Sequence, residues 1–480
     1  MSRTIVVSNR GPLTFRAGPD GDLVAVPAAG GLASSVHRLL AGSGTTWASV
    51  TMGAADREAV SKGLMHVDGL DLVPVVVDDE TYRQAYDVVA NTTLWYVHHH
   101  LFDLPNRPRF DRHWRQAWEG YRAYNRAMAD AVSERAGDGD TVLVQDYHFS
   151  LLGRMLAERR PDLRTVHFLH TPFAAPAMLG VLPDDVAAEL LDGMAGYGAC
   201  GFHCHKWEAD FLGCYEVAGR GRGRVPGQAR GPAAPRTFVA PLGLDVDGVA
   251  DEAAADDVAA AAAALRDEVG GRRVVARADR MEPSKNIVRG MLAFEEMLVA
   301  RPEWLGRVVH VVCAYPSRQG LAEYLAYAAD VEHTAERINH AFGTGSGAGD
   351  EGGDGWSPIV LSLSDDRPRS LAALTLSDVL LINPVRDGMN LVAKEGPLVN
   401  TQDGVLVLSR EAGAWEELEL GGEGALGVNP FDVAGTADAL HAALTMSSEG
   451  RAARAGAVRG AVVRRTAADW WADQLAAAQG

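Results

Sequence analysis

The stretch NPVRDGMNLVAKEG, residues 383–396, places an acid and a glycine in a loop between an apolar run and a helical pattern. The preceding run, SDVLLINP, has no polar alternation, which is typical of a parallel strand buried on both faces. Open α/β sheets bind ligands at the carboxyl ends of such strands, and the free N–H groups of the next helix suit a phosphate or a sugar hydroxyl. Asp387, Gly388 and Asn390 are therefore predicted to bind a ligand, although an ordinary strand–turn–helix connection explains the pattern equally well. Glu395 is expected about two turns into the helix.

Polar residues follow other predicted strands in the first half of the chain. SNRGP places Arg10 after the first strand, QDYHF places Asp146 after another, and FLHTPF places His170 after a third. AAGGLASSV supplies Gly30 and Gly31 at a helix start, where backbone N–H groups can approach an oxyanion. Each residue alone also fits a structural role, as a surface charge, a helix cap or a hydrogen-bonded core histidine.

The second half repeats this arrangement with cations. RADRMEPSKN carries Arg280 and Lys285 after a strand, and CAYPSRQG carries Arg318 in the same relation to its strand. A sheet that collects Arg, Lys, Asp and His at its strand ends resembles an active-site cleft. Together these residues predict a site for a phosphorylated sugar.

The elements that must position these residues alternate along the whole chain. Apolar runs such as RTIVVSN, TVLVQDY, RRVVARADR and DVLLINP are separated by helical patterns such as HWRQAWEGYRAYNRAMADAVSERA. This βαβα order predicts mainly parallel sheets with helices on both faces. The 480 residues are too many for one core, and a Gly-, Pro- and Arg-rich stretch at 218–236 is predicted to be a solvated loop near a domain boundary.

Composition excludes several classes of protein. The net charge of −18 argues against a broad nucleic-acid surface, because phosphate backbones require positive faces. No apolar run is long enough for a signal peptide or a membrane span, so a cytoplasmic protein without a membrane partner is expected. The spacing of the cysteines and histidines in ACGFHCHKWEADFLGCY fits no usual zinc pattern, and adjacent residues of the HHH run at 98–100 point in different directions. No metal site is predicted, and buried free thiols are expected.

An ordered set of motifs resembles a known family. SNR…GGLA, YDVVANTTLW, QDYH, FLHTPF, DRMEPSKN, SR, RDGMNLVAKE and VLVLSREAGA are similar to the trehalose-6-phosphate synthases, the retaining glycosyltransferases of family 20 that join glucose from a nucleotide sugar to glucose 6-phosphate. The resemblance implies a GT-B fold, with two Rossmann-like domains facing across a cleft. It implies an acceptor domain at 1–237, a donor domain at 238–460, and a helix at 461–480 that returns to the N-terminal domain.

The resemblance also implies which residues hold the acceptor. Arg10, Tyr86 and Arg318 would hold the phosphate of glucose 6-phosphate, and the spacing from Tyr86 to Trp95 fits the family's pair. Trp47 is a weaker match to an acceptor-site tryptophan.

On the donor side, the resemblance implies that Arg280 and Lys285 bind the diphosphate. Asp146 and His170 would contact the sugars at the reacting centre. The transferred glucose and the ribose would be held by Asp387, Gly388, Met389, Asn390, Leu391 and Glu395, and Gly30 and Gly31 are further donor contacts.

The expected chemistry follows from charge. Breaking the anomeric bond adds negative charge to the departing diphosphate, and Arg280 and Lys285 are fixed cations where that charge grows. They can replace the metal that other transferases need, so no cofactor is expected. In the family the acceptor hydroxyl enters on the face that the phosphate leaves, which gives retention. The rival mechanism is a double displacement through a carboxylate, with Asp146 as its candidate.

Several motifs depart from the family pattern. The common DRLDYSKG reads DRMEPSKN, and LSLSDDRPRS, expected beside the nucleotide base, matches poorly. The sequence therefore favours neither UDP-glucose nor GDP-glucose as the donor. The unusual YVHHHLF leaves open a sister transferase that uses glycerol 3-phosphate or a cyclitol phosphate, and a non-catalytic sugar-phosphate sensor is the alternative from another class. The predicted partners are the nucleotide-glucose donor and glucose 6-phosphate, and a homo-oligomer is compatible with the sequence.

Overall fold

The computed structural model describes residues 3–18, 20, 22–27, 39–51, 53–219, 233–318, 320–344 and 355–480. The chain divides into two compact units. The first comprises Met1–Leu242 and Ala467–Gly480, and the second comprises Gly243–Thr466. The predicted solvated loop at 218–236 falls largely outside the described residues.

Parallel strands dominate the described part of the first unit. Its strands are β1 (Thr4–Ser8), β2 (Leu13–Ala17), β3 (Leu23–Pro27), β4 (Thr46–Val50), β5 (His66–Val67), β6 (Leu70–Val75), β7 (Thr141–Gln145), β8 (Arg164–Phe168), β9 (Ala199–Phe202) and β10 (Arg236–Val239). Eight of them form one sheet in the order β10-β9-β8-β7-β1-β4-β6-β5, in which only β5 and β6 pair antiparallel, and β2 and β3 form a separate antiparallel pair. The strand order reverses between β1 and β7, so the ligand crevice of this sheet is expected at their carboxyl ends.

Helices cover this sheet, and several begin at recognisable caps. The described helices are Ala54–Ser61, Asp79–Tyr82, Arg83–Leu94, Trp95–His99, Arg112–Arg135, Tyr147–Phe149, Leu152–Arg159, Pro176–Leu179, Asp184–Ala195, His205–Gly219 and Ala467–Gln479. The longest begins where Asp111 accepts a hydrogen bond from the backbone N–H of Trp114 at 2.9 Å. Arg83–Leu94 is a π-helix.

The second unit contains one parallel sheet among its described residues. Its strands are β11 (Arg273–Arg280), β12 (Val308–Tyr315), β13 (Ile359–Ser362), β14 (Val379–Ile382), β15 (Val405–Ser409) and β16 (Leu426–Val428). They lie in the order β13-β12-β11-β14-β15-β16, and the order reverses between β11 and β14. The second expected ligand crevice therefore lies at the carboxyl ends of these two strands.

Helices also flank the second sheet. They are Val246–Ala253, Asp256–Val269, Pro283–Lys285, Ile287–Ala300, Pro302–Trp304, Ala322–Phe342, Arg367–Leu376, Val392–Val399, Trp415–Leu418, Leu420–Gly422, Val433–Thr445 and Ser448–Val462. Every residue of β7, β14 and β15 is buried, as parallel strands covered on both faces require. The predicted α/β class with mainly parallel sheets is confirmed. No helix in the described ranges is long and apolar enough to span a membrane.

Candidate active site

A lysine and a carboxylate meet at the strand-order reversal of the second unit. Lys285 follows β11 in the short helix Pro283–Lys285, and Asp387 follows β14. The Nζ of Lys285 donates to Oδ2 of Asp387 at 2.6 Å. Both side chains are largely buried, and two predicted donor residues that are 102 positions apart in sequence are thus brought into contact.

The electrostatics of this pair keep the lysine charged. Burial lowers the pKa of Lys285, but the carboxylates of Asp387 and Asp279 outweigh that effect, and the pKa lies above its ordinary value. Lys285 is therefore a fixed ammonium at the end of β11, suited to an anionic ligand.

A buried arginine fixes the backbone beneath Lys285. Arg277, 1% exposed, donates to Oδ2 of Asp279 at 2.7 and 3.1 Å and to Oδ1 of Asn383 at 3.0 Å. Its Nη2 also donates to the carbonyl oxygen of Lys285 at 2.9 Å. A Cβ at Gly290 would lie 2.4 Å from Nη1 of Arg277, so only glycine fits beside the guanidinium. These contacts tie the Lys285 loop to the end of β14.

The departure from DRLDYSKG at its last position has a backbone explanation. Asn286 has φ 60° and ψ 36°, a left-handed conformation that Gly and Asn adopt most readily. Its Nδ2 donates to the carbonyl oxygens of Asn383 and Pro430 at 2.9 and 2.8 Å. Asparagine therefore serves here in place of glycine and adds a second link to β14.

Glu282 is a charged residue of this site that is not among the residues predicted from the sequence. Its side chain is completely buried, and Oε1 lies 3.1 Å from Nη1 of Arg280 and accepts a hydrogen bond from Oγ of Ser317 at 3.0 Å. Burial raises the pKa of Glu282, but Arg280, Arg318 and Lys285 outweigh it, so the pKa lies below its ordinary value. The fourth position of the family's DRLDYSKG is acidic, and Glu282 occupies that position in DRMEPSKN. This match is the sequence feature that could have indicated Glu282.

The loop that carries Asp387 is held by the segment after β15. The backbone N–H of Asp387 donates to the carbonyl oxygen of Glu411, and the N–H of Gly413 donates to the carbonyl oxygen of Asp387, both at 3.0 Å. A Cβ on Gly413 would lie 1.9 Å from the carbonyl oxygen of Gly388, so the two loops approach too closely for any other residue. The side chain of Met389 is buried, and its carbonyl oxygen accepts a hydrogen bond from the backbone N–H of Ala414 at 2.9 Å, which adds a further link between the two loops.

Glu395 lies closer to the helix start than predicted. Asn390 has φ 70° and its Nδ2 donates to Oδ2 of Asp387 at 3.1 Å, so the loop continues through Leu391 and the helix begins at Val392. Glu395 therefore lies in the first helical turn, and the expectation of about two turns is wrong.

The carboxylate of Glu395 is held by an arginine from LSLSDDRPRS. Oε2 of Glu395 accepts a hydrogen bond from Nη1 of Arg367 at 2.8 Å, and Arg367 also donates to both oxygens of Glu252 at 3.1 and 3.0 Å. Burial lowers the pKa of Arg367, but the two carboxylates outweigh it and raise the pKa. This ion-pair network fixes the orientation of a predicted ribose contact.

Arg318 also lies in the second unit. It has φ 45°, its Nη1 donates to the hydroxyl of Tyr324 at 2.6 Å, and its guanidinium lies 5.5 Å from that ring's centre. Tyr324 therefore helps to orient the side chain of Arg318, which is predicted to bind a phosphate.

In the first unit, the structure brings Arg10 and Tyr86 together. Nη2 of Arg10 donates to the hydroxyl of Tyr86 at 3.5 Å, and Tyr86 stacks between Tyr82 and His148 with ring centres 5.0 and 5.7 Å away. Tyr86 belongs to the π-helix Arg83–Leu94, a helix type that is frequent at functional sites.

The two predicted acceptor-site tryptophans are buried. Trp47 is 2% exposed, and its Nε1 donates to Oγ of Ser8 at 2.7 Å. The Oγ of Ser8 in turn donates a hydrogen bond to the carbonyl oxygen of Arg10. Trp95 stacks on His99 with ring centres 3.9 Å apart. Trp47 thus contacts the Arg10 loop indirectly, through the hydroxyl of Ser8.

The HHH run has a structural role. Nδ1 of His98 and Nε2 of His100 accept hydrogen bonds from the backbone N–H groups of Ala174 and Ala175, at 3.1 and 3.2 Å. The run therefore holds the loop after His170. The described ranges contain no group of His, Cys, Asp and Glu arranged to hold a metal ion. All four cysteines are buried free thiols.

Asp146 and His170 meet at the carboxyl end of β7. Asp146 has φ 71°, and its Oδ1 accepts a hydrogen bond from the backbone N–H of His170 at 3.2 Å. Among the described residues, the His170 ring has two hydrogen-bond partners, Gln145 at 3.0 Å and His203 at 3.2 Å. Burial, followed by the charges of His203 and His167, places the pKa of His170 well below its ordinary value. The imidazole is therefore neutral.

Two predicted donor contacts, Gly30 and Gly31, lie outside the described residues. The structure groups the other predicted residues within each unit. Arg280, Lys285, Asp387 and Glu395 border the β11–β14 crevice of the second unit, and Arg10, Asp146 and His170 border the β1–β7 crevice of the first. The second unit thus presents fixed cations beside a carboxylate that can order hydroxyl groups, an arrangement that suits a sugar attached to a phosphate leaving group.

Comparison with known proteins agrees with this chemistry. The model of glycosyltransferase family 20 matches residues 2–479. The alpha,alpha-trehalose-phosphate synthase (UDP-forming) of Schizosaccharomyces pombe is 33% identical over 464 residues, covering 94% of this chain and 85% of that protein. The bifunctional trehalose-6-phosphate synthase/phosphatase of Thermoproteus tenax is 33% identical over 491 residues, covering 98% of this chain and 62% of that protein.

Solved structures are similar over the whole chain. The E. coli trehalose-6-phosphate structure bound with UDP-2-fluoro glucose has a TM-score of 0.82 and 28% identity, and the match covers 100% of this chain and 99% of that one. The Burkholderia xenovorans alpha,alpha-trehalose-phosphate synthase (UDP-forming) in complex with glucose-6-phosphate has a TM-score of 0.82 and 27% identity, with full coverage of both chains. The predicted GT-B fold class is confirmed. The chain belongs to glycosyltransferase family 20.

Proposed function

We propose that this protein is a trehalose-6-phosphate synthase. It transfers glucose from UDP-glucose to glucose 6-phosphate with retention, giving α,α-trehalose 6-phosphate and UDP. The relatives are named as UDP-forming synthases, and similar solved structures hold a UDP-glucose analogue and glucose 6-phosphate. UDP-glucose is therefore the preferred donor over GDP-glucose.

The observation that carries the proposal is the contact between Lys285 and Asp387. It places a permanent ammonium and a hydroxyl-ordering carboxylate 2.6 Å apart at the carboxyl ends of β11 and β14. The ammonium meets the charge that grows on the departing diphosphate, together with Arg280. Asp387 binds the glucose hydroxyls, with the backbone of residues 388–391, and Glu395 binds the ribose.

The first unit and Arg318 hold the acceptor in this proposal. Arg10, Tyr86 and Arg318 bind the phosphate of glucose 6-phosphate, because guanidinium groups and a phenol offer the charge-assisted donors that phosphate prefers. Trp47 acts indirectly, through Ser8, on the position of Arg10. The proposed acceptor domain is the unit Met1–Leu242 with the helix Ala467–Gln479, and the donor domain is Gly243–Thr466.

In this proposal the anomeric configuration is retained because the acceptor hydroxyl attacks on the same face of the glucose that the phosphate leaves. Asp146 is the only predicted site carboxylate in the described part of the first unit, and its Oδ1 is occupied by the His170 N–H. A double displacement through Asp146 would form a covalent glucosyl ester, which mass spectrometry of the intact protein with the 2-fluoro donor would detect.

Product analysis tests the proposal. The protein is incubated with glucose 6-phosphate and, separately, UDP-, GDP- and ADP-glucose, and the product is identified by NMR. We expect an α,α-1,1 linkage with UDP-glucose giving the highest kcat/KM. Turnover only with glycerol 3-phosphate or a cyclitol phosphate would indicate a sister transferase, and binding of both sugars without turnover would indicate a sensor.

A further inference from the structure

The helix that carries Tyr86, Arg83–Leu94, is a π-helix over its whole length of 12 residues. In a π-helix each backbone N–H bonds to the carbonyl oxygen five residues earlier, and most natural examples are single turns. The last of these bonds here runs from the N–H of Trp95 to the carbonyl oxygen of Ala90. Because this π-helix is longer than a single turn, we looked for contacts that stabilise it beyond its own backbone.

Two threonine hydroxyls have the same five-residue spacing. Oγ1 of Thr92 donates to the carbonyl oxygen of Asp87 at 2.7 Å, and Oγ1 of Thr93 donates to the carbonyl oxygen of Val88 at 2.9 Å. In an α-helix a threonine hydroxyl bonds to the carbonyl oxygen three or four residues earlier. Both bonds are therefore specific to the π-helix and stabilise it relative to an α-helix.

Trp114 orients the hydroxyl of Thr93. Nε1 of Trp114 donates to Oγ1 of Thr93 at 2.9 Å, and both side chains are buried. An indole N–H only donates, so the hydroxyl oxygen accepts from Trp114 and its own proton is directed to the carbonyl oxygen of Val88. Trp114 lies in the first turn of the helix Arg112–Arg135, where Asp111 accepts from its backbone N–H. The π-helix is thus connected to the start of the longest helix described in the first unit.

The type of helix determines which side chains share a face. Tyr86 and Trp95 are nine positions apart. At about 3.6 residues per turn, nine positions make about two and a half turns, which would place the two rings on opposite sides of an α-helix. A π-helix has about 4.4 residues per turn, so the same nine positions make about two turns. The π-helix therefore brings Tyr86 and Trp95 to the same side.

The contacts of the two rings agree with this geometry. Tyr86 stacks on His148 with ring centres 5.7 Å apart, and the ring centre of Trp95 lies 6.0 Å from that of Tyr147. Asn91, which lies between them on the helix, accepts a hydrogen bond from the hydroxyl of Tyr147 at 2.7 Å. All three side chains therefore contact the same pair of neighbouring rings, just beyond the carboxyl end of β7.

We propose that the hydroxyls of Thr92 and Thr93, the second one oriented by Trp114, determine the π conformation of Arg83–Leu94 and so place Tyr86 to bind the acceptor phosphate. Thr92, Thr93 and Trp114 are positioning residues, which act on the substrate through Tyr86. The binding of glucose 6-phosphate by Tyr86 rests on the proposed function, whereas the cause of the π conformation does not.

Crystal structures of two double variants test the cause of the π conformation without any substrate. Thr92→Val/Thr93→Val removes both hydroxyls and nearly preserves the side-chain shape. We expect the N–H of Trp95 to bond in this variant to the carbonyl oxygen of Asn91, as in an α-helix, with Tyr86 rotated to another side. Thr92→Ser/Thr93→Ser retains the hydroxyls and should keep the π-helix. An unchanged π-helix in the valine variant would overturn the proposal.

Calorimetry connects the π-helix to the acceptor. The valine variant should bind glucose 6-phosphate about tenfold more weakly, the size of about one hydrogen bond, with a change in the Kd of UDP of less than about twofold. The serine variant should bind both ligands like the wild type. Unchanged affinity for glucose 6-phosphate in the valine variant, or an equal loss for both ligands, would contradict the positioning role. A wild type that binds no glucose 6-phosphate would refute the proposed function and the placement of Tyr86 for it, whereas the crystal structures would still decide what determines the π-helix.

Thr334→Val is the matched control. Thr334 is also buried, but its Oγ1 donates at 2.6 Å to the carbonyl oxygen of Asp330, four residues earlier in the α-helix Ala322–Phe342. Its substitution should lower stability and leave both Kd values unchanged. A rise in the Kd of glucose 6-phosphate equal to that of the valine variant would show that the loss is not specific to the π-helix.

Trp114→Phe tests the same step with a milder change. The valine variant leaves the buried indole N–H without the acceptor that Thr93 provides, which could prevent folding. Trp114→Phe removes that donor and keeps an aromatic ring and both hydroxyls. It should weaken glucose 6-phosphate binding about two- to fivefold without affecting UDP. Wild-type affinity for glucose 6-phosphate in folded Trp114→Phe would contradict the role given to Trp114.

Discussion

Glu282 is a buried carboxylate among the cations of the proposed site in the second unit. Its buried carboxylate contacts Arg280 and Ser317 and lies within the electrostatic influence of Arg318 and Lys285. The residue therefore joins the proposed diphosphate loop to the loop of a proposed acceptor ligand. Its pKa lies below the ordinary value because these cations outweigh the effect of burial.

Replacing Glu282 by Gln should reduce stability in a pH-dependent way. A carboxylate with a lowered pKa in the folded state contributes stability above its unfolded pKa, and this contribution is lost as pH falls through the folded pKa. Glu282→Gln should therefore lower the free energy of unfolding, measured with urea at pH 7, by about 1–3 kcal/mol. This difference from the wild type should shrink below about pH 4.

The control for this experiment is Glu303→Gln. Glu303 is exposed, and its substitution should change stability by less than about 0.5 kcal/mol. Equal stability of Glu282→Gln and the wild type at pH 7 would show that Glu282 does not stabilise the loop.

Among the elements, the loop after β14 depends on the segment that follows β15. Backbone hydrogen bonds join Asp387 to Glu411 and Gly413, and Gly413 approaches Gly388 too closely for a side chain. The geometry of the proposed glucose site is therefore set by two strand–helix connections together.

Gly413→Ala should displace this loop. A Cβ 1.9 Å from the Gly388 carbonyl oxygen forces the backbone around Asp387 to move, and we expect kcat/KM for the donor to fall at least about tenfold. Steady-state kinetics with varied donor would measure it. Gly456→Ala is the control, since a Cβ there meets no atom within 4 Å, and this helical substitution should preserve activity and add up to about 1 kcal/mol of stability. Normal donor kinetics for Gly413→Ala would contradict a tightly held loop.

Strands and their polar ends could be predicted from the sequence, because parallel strands buried on both faces produce continuous apolar runs. TVLVQDY and DVLLINP become β7 and β14, and Asp146 and Asp387 follow them as expected. The π-helix Arg83–Leu94 was not predicted. The apolar residues of this segment have the spacing of an ordinary α-helix. The wider turns become visible in the structure, where Oγ1 of Thr92 donates to the carbonyl oxygen of Asp87, five residues earlier.

Residues whose roles depend on tertiary contacts could not be predicted from the local sequence pattern. Gln474 reaches Gln145 across 329 positions, and nothing in its neighbourhood marks it. Glu395 was placed too far along its helix, because the left-handed Asn390 extends the loop. The motif predicts Trp47 as an acceptor-site residue, and its burial at 2% exposure depends on strand pairing within the first sheet, which the motif does not reveal.

At the scale of the whole molecule, a net charge of −18 contrasts with the two anionic substrates of the proposed reaction. Long-range attraction therefore does not favour them, and local cations must supply the binding energy. In each unit those cations follow the ends of strands in the sheet. The second unit provides Arg280 and Lys285 where the proposed leaving group would lie.

Chelation should therefore leave activity largely intact. With saturating EDTA, we expect most of the trehalose 6-phosphate synthesis to remain, because the two side chains supply the positive charge. Adding magnesium or manganese back after dialysis is the control. Complete loss of activity that is restored by the metal would contradict the metal-free mechanism.

Lys285→Met tests the role of the Lys285 ammonium at the leaving group, with kcat and donor KM measured by UDP release at saturating glucose 6-phosphate. The substitution keeps the side-chain length and removes the charge, so kcat should fall about 10²- to 10³-fold, or about 3–4 kcal/mol, with a smaller change in donor KM. Lys62→Met, at an exposed surface ion pair, should match the wild type. A folded Lys285→Met enzyme with near-normal kcat, whether its donor KM is raised or unchanged, would contradict the role of Lys285 at the leaving group.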